Sequence, residues 1–416
     1  MATTTYLQNT HTGTGSSTGA KATMSVWVKR TDIAGDDRST IIGARTDDTH
    51  YFKIRFADND RLMIYGAAGS ANINIETDAE FRDIFGWYHV LLQVDTTHAT
   101  EAERVKWYIN GELQAIRSTA RNYPSQNDVN YLTSGSDIKI GCNAVGTNEH
   151  FDGSMSHFHM IDGTIYPPTA FGSTDSTTGE WSINASPSVT YGAKGFFILK
   201  DGNSVTDQSP NTNNFTVGGG TLTKTEDSPS NVFATWNPLI KFLGTGTGTT
   251  FENGNNTVTA SGNYTYNYST MAASSGKYYF EVKLTSTSGT AGSAGGVGVG
   301  RIDANINFVN HGMNGVQENR IYSANGQKRA NGTASSYGDT YTSNDIIGVA
   351  LDMDNSKIFF SKNGVWQNSG DPANGTNPAF SDLDNSYFYS PFVVSDTSAW
   401  SSTFNTNFGN GYFGTT

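Results

Sequence analysis

The stretch GWYHVLLQVDTTHATEAERVKWYINGEL, residues 86–113, decides the fold of this chain. Its first run, residues 87–94, is rich in β-branched and aromatic residues, which predicts a strand buried on at least one face. The second run, residues 105–109, places Val, Trp and Ile on one face and ends at Asn110-Gly111. Because this pair tolerates positive φ at both centres of a type I′ turn, the stretch predicts an antiparallel hairpin.

The same pattern returns near the other end of the sequence, in KIFFSKNGVW at residues 357–366. Further short strands with turn residues between them are predicted at 23–30, 40–43, 51–56, 61–65, 137–141, 153–161, 195–199, 264–268, 277–284, 297–302, 346–352, 387–394 and 404–408. The predicted fold class is therefore all-β, with two antiparallel β-sandwich (jelly-roll-like) domains in series and an irregular connecting region.

The predicted organisation along the chain has four parts. Residues 1–19 form a polar N-terminal arm, extended or poorly ordered, and residues 20–165 form the first sandwich. Residues 166–250 are dense in turn residues and are expected to connect the domains while packing on the first one. Within them, GTGTGTT at 244–250 indicates a hinge or an extended edge. Residues 251–416 form the second sandwich.

Composition narrows the classes of function. The 416 residues include 46 Gly, 20 Tyr and 23 Phe but only 15% charged residues, which suits many short strands. A formal net charge of −12 argues against nucleic-acid binding, but it leaves room for a sugar, because glycan recognition relies on aromatic faces and amides.

The cysteine content and the lack of long apolar segments indicate where the protein is made. Cys142 is the single cysteine, so no intrachain disulfide is expected. The first 19 residues lack the apolar core of a secretory signal, and no stretch approaches the length of a membrane span. The composition, rich in Thr, Ser, Asn and Gly, is typical of an extracellular surface protein, but no secretory signal is found. A virion protein, assembled in the host cytoplasm and exposed after lysis, would reconcile these two observations.

The first half resembles the concanavalin A-like, laminin-G-type jelly roll. The matching pieces, in order, are SVWVKR (25–30), GWYHVLLQVDTT (86–97), RVKWYINGEL (104–113), FDGSMSHFHMIDG (151–163), YPPTAFGSTDSTTGEW (166–181), YGAKGFF (191–197), DQSPNTNNFT (207–216) and EDSPSNVFATWNPL (226–239). As a series over most of residues 20–240 they resemble the lectin-like tail-fibre and virion proteins of marine bacteriophages.

The second half is similar to a SPRY domain over about residues 274–413. The similarity rests on GKYYFEV (276–282), VGVG (297–300), GDTYTSNDIIGVALDMDNSKIFFSKNG (338–364) and NTNFGNGYF (405–413). Both resemblances imply antiparallel sandwiches, and neither implies catalysis.

One acidic stretch could support catalysis. Alternation over residues 76–80 would put Glu76, Asp78 and Glu80 on one face, and some jelly-roll glycoside hydrolases carry such a strand. Thr77 and Ala79 are poor anchors for a core strand, so a solvated acidic loop is the favoured interpretation.

Two sets of residues suggest metal sites. His150, His157 and His159 with Asp152 could hold a metal, but the polar outer face of strand 153–161 is the favoured explanation for them. The sequence Asp352-Met353-Asp354-Asn355 begins like a calcium loop, but it lacks the Gly at the sixth position and the closing Glu, so a hairpin turn is favoured. No metal or cofactor is predicted, although calcium at a sandwich rim stays open by analogy with laminin-G domains.

The remaining candidate residues have simpler explanations. The run Gly296–Gly300 is predicted to be a strand instead of a nucleotide loop, and Cys142 a small core residue. Trp366, Trp400 and Tyr387 either stack on sugar rings or close the ends of the sandwich.

The leading hypothesis is a non-enzymatic virion protein, a tail fibre or surface appendage subunit that attaches to a host-surface glycan. The expected partners are other virion proteins, a host glycan or envelope receptor, and further copies of the chain, as a trimer by analogy with phage fibres. The alternatives are a capsid-surface decoration protein without a receptor, and a glycoside hydrolase that depends on Glu76 and Glu80.

Overall fold

The computed structural model describes most of the chain and divides it into two compact units. The described residues are 4–10, 19–33, 39–68, 71–129, 131–134, 137–200, 204–240, 248–261, 265–288, 295–302, 318–331, 333–395, 401–411 and 413. Those up to Lys224, with Ser228–Val232, form the first unit. Thr225–Asp227 and the described residues from Phe233 onward form the second unit.

The first unit is built from short strands. In chain order they are β1 Tyr6–Thr10, β2 Lys21–Arg30, β3 Ser39–Asp47, β4 His50–Phe56, β5 Leu62–Ala68, β6 Ala71–Thr77, β7 Tyr88–Asp95, β8 Val105–Ile109, β9 Glu112–Leu113, β10 Ile116–Asn122, β11 Asp137–Ile140, β12 Gly153–Asp162, β13 Gly172–Thr174, β14 Trp181–Ile183, β15 Phe196–Ile198 and β16 Thr216–Gly219. The helix α1, Tyr131–Ser134, and single 3₁₀ turns at Glu101–Glu103 and Pro168–Ala170 complete it.

Two antiparallel sheets enclose the first core. One has the order β10-β6-β5-β4-β3-β11-β1-β16 and the other β15-β12-β2-β7-β8-β9, while β13 and β14 form a separate hairpin. Val26 and Val28 of β2 meet Ile54 of β4 and Ile64 of β5 in one buried cluster. This places the core between the two sheets and confirms that Met24, Val26 and Val28 share a face, as their alternation predicts.

The predicted hairpin is present in the six-stranded sheet. Tyr108 pairs with Leu113 and Ile109 pairs with Glu112 across the Asn110-Gly111 turn, and the other edge of β8 pairs with β7. The turn residues Asn110 and Gly111 have φ of 48° and 84°, the positive values that a type I′ turn requires.

Part of the expected N-terminal arm is a strand. Tyr6–Thr10 lies between β11 on one side and β16 on the other, and Leu7 is buried in the core. A polar segment can form such a strand because the backbone supplies the ladder hydrogen bonds while one apolar side chain anchors it. Residues 11–18 lie outside the described residues.

The outer face of the six-stranded sheet is covered by the segment 166–195, which we call the covering segment. Phe171 and Tyr191 of this segment pack over Leu91 and Ile161 of the sheet. The covering segment thus extends the first unit beyond the sandwich.

The second unit is a second sandwich. Its strands are β17 Thr249–Glu252, β18 Thr257–Ser261, β19 Thr265–Tyr268, β20 Lys277–Thr287, β21 Gly296–Arg301, β22 Asn319–Ser323, β23 Gln327–Ala330, β24 Thr333–Ser336, β25 Ile346–Asp352, β26 Lys357–Lys362, β27 Val365–Trp366, β28 Tyr389–Ser395 and β29 Ser401–Asn407, with a single 3₁₀ turn at Gln367–Ser369. The sheets have the orders β17-β18-β29-β20-β25-β26-β27 and β19-β28-β21-β22-β23-β24. The predicted all-β class with two antiparallel sandwiches is confirmed.

The connecting region contributes to both units. Trp236 is fully buried in the core of the second unit, and its indole Nε1 donates a hydrogen bond of 3.0 Å to Thr406 Oγ1. Residues 233–240 and 248–250 therefore belong to the second unit, whereas the covering segment belongs to the first. Residues 244–247 of the predicted hinge, Tyr264 and Trp400 lie outside the described residues.

Candidate ligand-binding site

Alternation in the eight-stranded sheet produces a polar outer face. In β4, Phe52, Ile54 and Phe56 enter the core, so Tyr51, Lys53 and Arg55 point to the opposite side. The sequence YFKIRF at 51–56 thus encodes one apolar face and one face of tyrosine and cations.

Neighbouring strands continue this outer face in register. Lys53 lies directly opposite Tyr65 of β5, and Tyr65 lies opposite Asn74 of β6. The full row across all eight strands is Thr216, Gln8, Lys139, Gly43, Lys53, Tyr65, Asn74 and Asn122. We call the central part of this outer face the tyrosine face; it consists of Tyr51, Lys53, Arg55, Tyr65 and Asn74, together with Glu149 from a loop.

Glu149 reaches the tyrosine face from a loop that crosses Gly43. A Cβ on Gly43 would overlap Ala144, so the glycine allows the loop to lie against the sheet. Glu149 Oε2 then lies 3.0 Å from Lys53 Nζ, and its Oε1 lies 3.1 Å from Arg55 Nη1. Burial alone would raise the pKa of Glu149, but the hydrogen bond from Lys53 and the charges of both cations outweigh it and lower the pKa.

Two partly buried tyrosines lie beside this ionic cluster. The rings of Tyr51 and Tyr65 have centroids 6.3 Å apart and are tilted by 41°. Lys53 Nζ lies 5.4 Å and Arg55 Cζ 5.5 Å from the Tyr65 ring centroid, within cation–π range. Burial and then the neighbouring Tyr65 raise the pKa of Tyr51. The cations therefore hold the Tyr65 ring, which in turn contacts the Tyr51 ring, while part of each ring stays exposed.

Asn74 adds an unused hydrogen-bonding atom. Its Oδ1 is buried and has no hydrogen-bond partner within the described part of the chain. A buried acceptor without a donor is costly, and a ligand hydroxyl can satisfy it. Aromatic faces, an amide and a fixed ion cluster together form a surface that can stack on and hydrogen-bond a polyhydroxylated ligand.

The acidic stretch does not form one strand face. β6 ends at Thr77, so Glu76 lies in the strand whereas Asp78 and Glu80 follow it. Glu76 is buried and pairs with Arg117 at 2.9 Å, while Glu80 pairs with Arg61 at 2.9 Å. The favoured interpretation of a solvated loop holds for Asp78 and Glu80, and Glu76 is instead a buried ion-pair partner.

The histidines of β12 are separated from one another by a change of register. The ladder between β12 and β2 shifts between Ser156 and His159, and His157 has a φ of 48°. Across the described residues no group of three or more His, Cys, Asp or Glu side chains is placed to hold a metal ion. The expected polar outer face is wrong for His159, because Tyr191 of the covering segment buries it and its Nδ1 lies 2.8 Å from the Tyr191 hydroxyl.

A second buried histidine, His89, was not singled out from the sequence. Trp181 Nε1 donates to His89 Nδ1 at 3.0 Å, so the proton of the neutral ring is on Nε2, 2.8 Å from Ser25 Oγ. The ring also stacks between Trp27 and Trp181, at centroid distances of 5.1 and 5.9 Å. Burial lowers the pKa of His89 to about 3. His89 therefore holds the covering segment to the sheet as a neutral hydrogen-bonding group.

The second-unit candidates act structurally where the structure describes them. Asp352 Oδ1 accepts from the Asn355 backbone N–H at 3.1 Å, as a hairpin turn requires, which confirms the turn between β25 and β26. Gly296–Gly300 lies in β21, and a Cβ on Gly298 would overlap the Arg320 carbonyl, which confirms a strand with close backbone approach. Arg301 Cζ lies 3.6 Å from the Tyr387 ring centroid, so that ring already has a partner.

Cys142 fits the predicted core role. It is fully buried, and burial raises the pKa of its thiol to about 12. A thiol that stays protonated is a poor nucleophile.

The first unit also has a polar pocket of about 420 Å³ beside β7. Its lining includes Lys21 with Asp95 at 3.1 Å and Lys106 with Glu103 at 2.5 Å. Because these four charges pair with one another, the pocket offers little net charge to a ligand, and the tyrosine face is the stronger candidate.

Comparisons with known proteins assign both domains. Residues 2–169 match the laminin G model of the concanavalin A-like lectin/glucanases superfamily, and residues 277–411 match the SPRY domain model. The chain therefore carries a laminin-G-like, concanavalin A-like domain followed by a SPRY domain. Domains of these types generally bind carbohydrate or protein and are generally not catalytic. No curated protein sequence matches the chain.

Three solved structures are similar to parts of the chain. The SPRY domain of human HERC1 is 23% identical, with 38% of this chain and 91% of that chain covered and a TM-score of 0.31. Stonustoxin is 15% identical, with 42% and 27% covered and a TM-score of 0.31. The native heptameric SAP-like pentraxin from Limulus polyphemus is 16% identical, with 39% and 71% covered and a TM-score of 0.29.

No helix among the described residues is long and apolar enough to cross a bilayer.

The sequence signal for the tyrosine face is the alternation in YFKIRF. This alternation predicts strand 51–56, and it also puts Tyr51, Lys53 and Arg55 on the face opposite the core. The strand β6, which supplies Asn74, was not predicted.

Proposed function

We propose that the chain is a structural protein of a virion, a tail fibre or surface appendage subunit that attaches to a glycan of the host surface. Two domains of binding type in one chain, the first of them lectin-like, support this proposal. The ordered resemblance of the first half to phage tail-fibre proteins supplies the virion context.

The observation that carries the glycan assignment is the tyrosine face. A sugar ring presents C–H groups that pack on the exposed parts of Tyr51 and Tyr65, and hydroxyls that donate to the unsatisfied Asn74 Oδ1. Glu149 already pairs with both Lys53 and Arg55, so neither cation needs an anionic ligand as its partner.

A single face of this kind gives weak binding, and repeated copies strengthen it. We therefore propose a homo-oligomer, a trimer by analogy with phage fibres, in which several tyrosine faces engage one host surface. Other virion proteins hold the subunit, which is made in the host cytoplasm and carried on the particle.

The binding test uses the full chain and an envelope polysaccharide purified from the host. Replacing Tyr65 by Ala, or Asn74 by Ala, should weaken binding about ten-fold by removing the ring or the acceptor. The control is Tyr278→Ala, which removes an exposed tyrosine from the second unit. Loss of binding in the control, or none in the two variants, would contradict the assignment to the tyrosine face.

The virion assignment is tested on particles. Antibodies raised against residues 274–413 should label the tips of tail appendages in immunogold microscopy. Label spread over the capsid, together with no binding to any host polysaccharide, would favour a decoration protein without a receptor. Particles negative on both labelling and blots would refute the virion proposal.

The enzymatic alternative has its own test. The double variant Glu76→Gln with Glu80→Gln should behave like the unmodified chain toward polysaccharides. A polysaccharide-cleaving activity that disappears in this variant would establish a hydrolase instead.

A further inference from the structure

A half-exposed tyrosine lies flat on the seven-stranded sheet of the second unit. In β20, Phe280 and Val282 enter the core, so Tyr279 and Glu281 point to the outer face. Tyr279 is 52% exposed. Beneath it, a Cβ on Gly348 would come within 2.6 Å of the Tyr279 hydroxyl, so the glycine allows the phenol to lie across the sheet.

Neighbours fix the orientation of this ring. The Tyr279 hydroxyl donates to Glu281 Oε1 at 2.9 Å, and it also bonds the Ser361 side chain. Trp366 meets the ring edge to face, with centroids 6.3 Å apart and an angle of 69°. Burial of the hydroxyl and then the bond to Glu281 raise the pKa of Tyr279 to about 12, so the phenol stays protonated and keeps this bond. A ring held by its hydroxyl and one edge presents a defined face to solvent.

Hydrogen-bonding groups surround the ring. Asn407 lies directly opposite Glu281 in the ladder between β20 and β29. Its Oδ1 accepts from Gly409 N–H at 2.9 Å, which leaves Nδ2 without a bond to any described residue. Glu281 keeps Oε2 as an acceptor, and Lys283 follows on the same strand face. A donor, an acceptor and a fixed aromatic face therefore lie within one or two residue spacings, about 5–7 Å.

We propose that Tyr279, Glu281, Trp366 and Asn407, supported by Gly348 and Ser361, form a binding site for a neutral saccharide, separate from the tyrosine face of the first unit. The C–H face of a sugar ring stacks on Tyr279, and adjacent hydroxyls donate to Glu281 and accept from Asn407. The carboxylate of Glu281 beside the ring disfavours an anionic ligand, and Lys283 on the same face disfavours a cationic one.

The test uses the full chain with Tyr65→Ala already introduced, so that the tyrosine face does not contribute. A printed array of neutral hexose and N-acetylhexosamine oligosaccharides selects a ligand, and titration calorimetry measures its affinity. Adding Tyr279→Ala should weaken binding about ten-fold. Tyr278→Ala is the matched control, because Tyr278 is 51% exposed, precedes Tyr279 and does not point to this face.

Gly348→Ala provides an independent variant that keeps every ligand-contacting group. Its methyl group should displace the Tyr279 hydroxyl and weaken binding as much as the loss of the ring, while the melting temperature reports whether the sheet stays folded. Equal losses in the Tyr278 and Tyr279 variants would overturn the proposal. So would array binding that Tyr65→Ala abolishes completely, or the absence of any array binding.

The chemical class of the ligand is tested separately. If binding to host envelope depends on Tyr279 but survives periodate oxidation of the sugars and is lost on protease treatment, the site recognises protein and the saccharide assignment is wrong. Failure of this site leaves the tyrosine face testable with the Tyr65 and Asn74 variants alone, so the two proposals fail independently.

Discussion

Mild acid should destabilise the first unit through its buried histidines. His89 and His159 are buried at the interface between the six-stranded sheet and the covering segment, where each makes hydrogen bonds as a neutral ring. Protonation of His89 at Nδ1 would put an N–H donor opposite the Trp181 N–H, which now donates to that nitrogen, and it would also bury a positive charge. The two histidines therefore bind a proton less readily in the folded state than in the unfolded chain.

The magnitude follows from the pKa of His89. Burial lowers this pKa from 6.5 to about 3, so between these values the unfolded state binds a proton that the folded state does not. Stability is then complete above pH 6.5 and falls as the pH falls toward 3. At pH 5 the loss is about 2 kcal/mol for His89. Burial holds the pKa of His159 well below its ordinary value as well, so His159 adds to the loss in the same direction.

The assay must report each unit separately. Urea titrations at pH 7 and pH 5, followed by hydrogen-exchange mass spectrometry, give an unfolding midpoint for peptides of each unit. Peptides of β2 and β7 should lose the stability calculated above. The second unit is an internal control, because His311 is the single histidine in the sequence from residue 233 onward.

A double variant removes one of the two titrating groups. His159→Leu with Tyr191→Phe deletes both partners of one hydrogen bond, which is tolerated better than deleting either alone. It should reduce the acid-induced loss to the part that His89 contributes, whereas the exposed His98→Gln keeps both buried rings and should not reduce it. An unchanged midpoint for first-unit peptides between pH 7 and pH 5 would refute the reasoning.

Two further changes test the ion cluster and the domain boundary. Glu149→Ala should cost about 3–5 kcal/mol of first-unit stability, because it leaves Lys53 and Arg55 buried without their carboxylate. A loss below about 1 kcal/mol in urea unfolding would contradict this expectation. Trp236→Ala should cost about 3–5 kcal/mol of second-unit stability, because it removes a fully buried indole from the core. A fragment of residues 251–416, which lacks Trp236, should unfold at a lower urea concentration than a fragment of residues 228–416, and equal midpoints would contradict the role of Trp236.

The elements that the sequence predicted best are those specified by adjacent residues. The Asn-Gly pairs of the two predicted hairpins form turns with two positive φ values, since Asn363 and Gly364 have φ of 49° and 81° like Asn110 and Gly111. The strands that flank each turn pair with each other, Ile109 with Glu112 and Lys362 with Val365, as the pattern indicates. Turn chemistry and period-two alternation act over fewer than ten residues, so they are visible without the fold.

Pairing between distant segments could not be predicted in this way. β1 pairs with β16 about two hundred residues further along the chain, and both strands are polar. The tyrosine face likewise depends on the register of four strands and on a loop that brings Glu149 over Gly43. Local composition gives no register for polar strands, because register is set by which residues enter the core.

The two outer faces of the first sandwich differ in a way that bears on function. The outer face of the six-stranded sheet carries Trp27, His89 and His159, and the covering segment removes these rings from water. On the eight-stranded sheet the corresponding rows carry lysine, arginine, tyrosine and asparagine, which alternate with core residues just as strictly. Cations at these positions need partners, and Glu149 supplies one, whereas Asn74 Oδ1 is left unsatisfied. A buried acceptor beside two partly exposed rings costs stability unless a ligand donates a hydrogen bond to it, and for that reason we expect ligand binding on this sheet and not on the covered one.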